Sequence, residues 1–185
     1  MSTQPPVSAP DDHDTIYAIR TAHQNQIQLN VMADQKANII VGAILIFLTL
    51  FLTRLSSFDF SSLRLTISLG LFIALEVIAL FLAILVIKPR AKWANHNLTL
   101  EKMPNPLFFG FYTRFPEQEY IDYMLNKLVD NRAAREVLLR DIYQIGQVLK
   151  RKFTLLKYAY NFAASGILIG ILSVAYELLS KHQYV

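Results

Sequence analysis

The chain has 185 residues, of which 54% are apolar and 17% charged, with no cysteine, a net charge of +4 and a mean hydropathy of +0.33. A soluble domain carries about a quarter charged residues, and here the apolar excess is gathered into three blocks rather than spread. This excludes a disordered, collagen-like or disulfide-stapled secreted chain, and the missing cysteine excludes thiolate metal sites and cysteine nucleophiles.

Residues 1–14, MSTQPPVSAPDDHD, show no basic region followed by an early apolar run, so they predict a disordered tail rather than a cleavable signal. Asp11 to Asp14 can cap a helix that runs without proline or glycine from Thr15 into the first apolar block. That gives a cytosolic helix over 15–36 and a first membrane helix over 37–54. The block itself, Ala37 to Thr53 between Lys36 and Arg54, is 17 residues long with only Asn38, Thr49 and Thr53 polar. The second block, Leu65 to Ile87, and the third, Tyr158 to Ser180, are 23 residues each between flanking basic residues. A helix crosses the hydrocarbon core with about 17–25 residues. The spacing therefore predicts spans over 37–54, 65–87 and 158–180, the first helped by its snorkelling flanks.

Orientation follows from the basic residues. Two precede the first span (Arg20, Lys36), two lie between the first and second (Arg54, Arg64), one follows the third (Lys181), and thirteen of the 18 fall between the second and third. The positive-inside rule makes residues 88–157 cytoplasmic, with the N-terminus inside and the 181–185 tail outside. Within that block Pro89 ends the second span, and Met103 to Pro116, with Pro104, Pro106, Gly110 and Pro116, is loop chemistry. Pro116-Glu117-Gln118-Glu119 opens a new helix. No proline occurs from Asn131 to Leu179, so one helix can run from cytosol into membrane. The fold class is an all-α membrane protein, with three transmembrane helices, a helical cytosolic block between the second and third, and no strand.

The last helix carries a seam in unbroken heptad phase: Leu138, Ile142, Ile145, Leu149, Lys152, Leu156, Ala159, Ala163, Gly166, Gly170, Ser173, Glu177. Its cytosolic members are mostly large and aliphatic, as in a coiled coil. In the membrane they shrink to Ala, Gly and Ser, because lipid offers no hydrophobic gain and close backbone approach must hold helices together. Gly166 and Gly170 form a GxxxG pair. The seam suits packing on the chain's own helices and suits self-association equally. Glu76 lies at the midpoint of the second span with no basic residue in any span to pair with it. An acid there either hydrogen-bonds a neighbouring helix or serves a pore or proton path.

Catalytic chemistry is missing. His13, His23, His96 and His182 are scattered without ligand spacing, and no HExxH, Walker A, GxGxxG or GxSxG pattern occurs. Asn95-His96-Asn97 reads as a turn. No enzyme, metal or cofactor is expected. Cations do stand beside aromatics: Phe108, Phe109, Phe111, Tyr112 and Phe115 surround Gly110 and Arg114, with Asn105 before them. Arg140, Asp141, Tyr143, Lys150, Arg151 and Lys152 follow on the long helix. A planar base can stack on an aromatic while Arg or Lys holds a phosphate. The same features also suit a packed core and contact with anionic lipid.

Three short motifs in order carry a resemblance. They are Met32-Ala33-Asp34-Gln35-Lys36-Ala37 leading into the first span, Asn105-Pro106-Leu107-Phe108-Phe109-Gly110, and Arg140-Asp141-Ile142-Tyr143-Gln144-Ile145-Gly146 followed by Lys152 and the last span. From about residue 15 to 180 the chain resembles the Pycsar transmembrane effectors. The resemblance implies bacterial antiphage defence. In it, a partner pyrimidine cyclase makes cyclic CMP or cyclic UMP on infection, and the effector senses it, impairs the inner membrane and ends the infection with the host cell. On that reading the expected partners are the nucleotide, the lipid bilayer and further copies of the chain, with no nucleic acid polymer. Arg140 or Lys152 is expected to meet the cyclic phosphate and Phe109 or Tyr143 the base. Asp141, Asn105 and Arg114 stand near, and Asp34 and Lys36 offer an alternative site. Gly166, Gly170, Ser173 and Glu76 are the membrane packing or pore residues. Two other classes fit the residues: a passive subunit of a larger membrane complex, and a small constitutive channel or transporter.

Overall fold

A computed structural model describes residues 12–54, 63–88 and 98–182. The expected tail over 1–11, the loop at 55–62, Pro89, the Asn95–Asn97 turn and residues 183–185 lie outside the described residues. Five helices follow in order: α1 (Asp12–Arg54), α2 (Leu63–Ile87), α3 (Phe109–Tyr112), α4 (Glu117–Leu128) and α5 (Asn131–His182). Among the described residues 88% are helical and none is in a strand, which matches the all-α class. α1, α2 and α5 are each long and apolar enough to cross a membrane. α1 begins at Asp12, three residues before the expected Thr15, and runs unbroken through the expected boundary at 36/37.

The chain divides into two compact units. The first takes the described residues within 1–30 and 90–148, the second those within 31–89 and 149–185. In the second unit α2 buries Leu65, Leu69, Phe72, Glu76, Ala79, Ala83 and Val86, stepping by four and three. α1 contributes Ala33, Ala37, Ile40 and Ile44 at the same steps, and α5 Leu156, Ala159 and Ala163. This is the spacing of a coiled-coil seam. One cluster joins Ala37, Val86 and Leu156, and the next joins Ile40, Ile44, Ala79, Ala83, Ala159 and Ala163. α1 and α5 therefore run parallel, with α2 antiparallel between these partners. A Cβ on Gly166 would stand 2.8 Å from Glu76 Oε1 and 3.3 Å from Leu75 Cβ, and one on Gly170 3.1 Å from the Phe72 ring. The GxxxG pair thus packs on the chain's own α2. Arg64 donates to the Tyr176 hydroxyl at 3.3 Å, and Phe51 meets Phe72 edge-on at 5.2 Å. Outward faces carry large apolar residues such as Ile39, Ile46, Phe81 and Leu168.

In the first unit, the stretch expected to be loop from Met103 to Pro116 contains one helical turn, α3. Gly110 eases it: a Cβ there would lie 2.5 Å from the Phe108 ring, so any other residue would require that ring to shift. Thr113 Oγ1 donates back to the Phe109 carbonyl at 2.6 Å. α4 starts after Pro116 with Glu117 and Glu119 in its first turn and Lys127 in its last, the arrangement its dipole favours. None of its residues is buried. Asp130 then caps α5, accepting from the Arg132 and Ala133 backbone N–H groups at 3.1 and 3.3 Å.

The contact of Gly166 and Gly170 with α2 can be tested directly. Gly166→Leu with Gly170→Leu should destabilise the bundle by about 1–3 kcal/mol for each overpacked site, read as a lower thermal midpoint in detergent. An unchanged midpoint would show that α5 does not lie against Phe72 and Glu76.

Candidate functional site

Asn105 organises the polar core of the first unit. Its Oδ1 accepts the Leu107 N–H at 2.9 Å, bending the loop, while Nδ2 donates to Asp141 Oδ1 at 2.6 Å and to Gln144 Oε1 at 3.2 Å. Gln144 Nε2 in turn donates to the Pro104 carbonyl at 3.3 Å. The other Asp141 oxygen lies 2.6 Å from His23 Nε2 on α1. A single network therefore ties α1, the 103–107 loop and α5, and both carboxyl oxygens of Asp141, whose side chain is only 12% exposed, have partners. Buried charge is tolerated on that condition.

Arg140 precedes Asp141 by one residue, about 100° around a helix, enough to leave Arg140 exposed while Asp141 is buried. Arg140 is exposed and lines a cavity of about 120 Å³ with Glu101, Met103, Pro106 and Lys127. It also lines an open groove of about 290 Å³ with Pro104, Leu139, Tyr143 and Gln144. Its Nε donates to Glu136 Oε1 at 2.8 Å. That hydrogen bond and the Arg140 charge, helped by Lys127 and Arg132, hold the Glu136 carboxyl below its usual range. The contribution is present above the ordinary carboxylate value and is lost as pH falls through the lowered one. Nearby, Tyr112 and Tyr120 stack with centroids 4.8 Å apart, and the Tyr120 hydroxyl donates to the Pro106 carbonyl at 3.0 Å. Burial, and then Tyr112, push the Tyr120 hydroxyl up.

The structure thus brings Arg140 and Tyr143 to one groove, with Asn105 and Asp141 in the network behind Gln144 and Pro104. Phe109 packs on Phe108 with centroids 4.9 Å apart and lines neither cavity, and Arg114 is exposed without lining either. Lys152 belongs to the second unit, where its Nζ holds both oxygens of Asp34 at 2.6 and 2.9 Å. Lys36 stands over the Phe153 ring at 5.9 Å. Ser173 donates to its own helix, at the Ile169 carbonyl, 2.7 Å away. His23, Gln144 and Glu136 were not expected from the sequence. The signal that could have found His23 is a heptad phase on α1: His23, Gln26, Asn30, Ala33, Ala37, Ile40, Ile44. No group of acidic and histidine side chains able to hold a metal occurs among the described residues.

Three membrane-length helices and a polar, loop-bearing unit built on α1 and α5 define a helical membrane protein. Among known families, the Pycsar effector protein domain matches residues 17–178. The chain belongs to the Pycsar effector family, and membership supports an antiphage effector role. No curated protein and no solved structure matches.

The network and the exposed pair should respond differently to truncation. Asn105→Ala removes a donor from Asp141 and the acceptor of the Leu107 N–H, and should cost about 1–3 kcal/mol for a buried group left unsatisfied. Arg140→Ala should move stability by no more than about 0.5 kcal/mol, as surface positions do. Thermal unfolding of both variants beside wild type checks the contrast.

Proposed function

We propose that this protein senses a cyclic pyrimidine mononucleotide, cyclic CMP or cyclic UMP, made by a partner cyclase, and responds by impairing the inner membrane without catalysing a reaction. The observation that supports this most is the shared groove of Arg140 and Tyr143. A guanidinium for the phosphate and a phenol ring for the base stand one helical turn apart on a rigid element, beside a cleft near the lower end of small-molecule pocket volumes. Among the described residues Arg140 is held by Glu136 on an exposed face, where an ion pair is worth little. A phosphate can take Glu136's place at small cost. The network behind Gln144 fixes the far wall of the groove, so a ligand there would bear on both the 103–107 loop and α5. Any response requires that the nucleotide favour one arrangement of these elements over another.

In this reading residues 88–157 and the N-terminus are cytoplasmic and the C-terminus is periplasmic, following the bias of basic residues. Reporters fused at Ser61 and at the C-terminus should then both score as periplasmic. A cytosolic C-terminus would remove one span.

Equilibrium binding of cyclic CMP and cyclic UMP to the purified full-length chain in detergent tests the site. Arg140→Ala should weaken binding about 10- to 150-fold, the range of a lost charge-assisted hydrogen bond. Tyr143→Ala should also weaken it. Glu136→Gln should tighten binding, because it removes the competitor for Arg140. Lys152→Ala should leave affinity unchanged, because its ammonium is committed to Asp34. A wild-type chain that binds neither nucleotide would instead be a passive subunit, and unchanged affinity in both Arg140→Ala and Tyr143→Ala would move the site elsewhere.

A further inference from the structure

Glu76 is fully buried at the centre of the α2 seam, and its buried neighbours along that seam are all apolar. Neither carboxyl oxygen has a hydrogen-bond partner among the described residues. Oε1 instead faces the backbone of Gly166 at the one place on α5 where a side chain would strike it. A polar group left unpaired in a dry interior opposes the packing around it. Apolar side chains of similar size satisfy such a position better. The three apolar blocks contain no lysine or arginine, and their one other acid, Glu177, lies near the end of α5. Among the described residues no cation on α1, α2 or α5 lies at this level to neutralise the group.

We infer that Glu76 opposes the closed packing of α2 against α5, and that when these helices part its carboxylate lines a water path that prefers cations. A carboxyl in contact with water is ionised at neutral pH, and acidic side chains in a pore select for cations. Parting at Gly166 needs no side chain to be withdrawn from α5, since none intervenes. The inference rests on the reading of this protein as a membrane-impairing effector and names the ions its open state passes.

The test uses the full-length chain in vesicles of phosphatidylethanolamine and phosphatidylglycerol, with cyclic CMP or cyclic UMP on both sides, and reads potassium and chloride flux. Wild type should pass potassium in preference to chloride. Glu76→Gln keeps the buried polarity but not the charge, so it should still open while its preference falls to near unity. Glu76→Leu should raise the thermal midpoint in detergent by about 2–4 °C and lower flux by about tenfold, a shift expected when the closed state gains the free energy of one decade. Wild-type selectivity in Glu76→Gln overturns the inference alone, as does undiminished flux with an unraised midpoint in Glu76→Leu. If Glu76→Leu fails to insert, Glu76→Gln decides. No flux from wild type with either nucleotide overturns the membrane reading and the ion path with it.

Because the chain has no cysteine, a second check is available. The Gly166 and Leu75 Cβ positions, 3.3 Å apart, lie near the separation a disulfide spans. Leu75→Cys with Gly166→Cys, oxidised, should block flux and recover it on reduction. Full flux in the oxidised, cross-linked protein overturns the requirement that α2 part from α5.

Discussion

Helices in hydrocarbon gain nothing from hiding apolar surface from water, so they must touch closely or not at all, and the second unit is built on that constraint. Its contacts are made at alanine and glycine: Ala33 and Ala37 on α1, Ala79 and Ala83 on α2, Ala159, Ala163 and Gly166 on α5. Small residues at heptad positions let backbones approach and spread van der Waals contact along the whole length. Ile40, Ile44 and Leu156 fill what the alanines leave. The ion pair of Lys152 with Asp34, with Lys36 over Phe153 nearby, adds a polar fastening between α1 and α5. The carboxyl of Glu76, without a hydrogen-bond partner among the described residues, is the exception in this otherwise apolar seam.

The first unit is held by different physics. Its core is small, with Met103, Phe111 and Val137 the main buried apolar side chains, and the hydrogen-bond chain from His23 through Asp141 and Asn105 to Gln144 and Pro104 supplies the specificity that volume does not. Partly satisfied groups remain beside it: Gln26 Oε1 and Asn30 Oδ1 are buried without partners among the described residues. A module held by directional bonds has one best arrangement and is sensitive to any ligand that competes for a member of the chain.

Much of this was legible in the residues. The three helices long and apolar enough to span followed from block length and flanking charge, and the start of α4 followed from Pro116 and the acids behind it. The α5 seam was readable because its members change from large to small while keeping phase, and every described member faces inward or is half-buried. The seam of α2 was hidden, because a helix apolar all round has no periodicity to read, and that of α1 was hidden by its polar start at His23, Gln26 and Asn30. Arg140 and Asp141 were grouped as neighbours in sequence, whereas helical geometry sends one to solvent and the other inward. Lys152 looked available because its partner Asp34 is 118 residues away. Only the fold could join them. The turn at Phe109–Tyr112 was missed because glycine was read as a breaker, when here it makes room for Phe108.

The lack of any buried residue in α4 has a dynamic consequence. A helix of 12 residues is marginal in isolation, and tertiary contacts such as the Tyr112–Tyr120 stack and the Tyr120 bond to Pro106 must supply the rest. Backbone segments with few buried contacts open at low free energy, well below global unfolding. Among the described helices of 12 residues or more, α4 is therefore the one where amide hydrogens exchange soonest and proteases cut first, while α5 beyond its Asp130 cap stays protected.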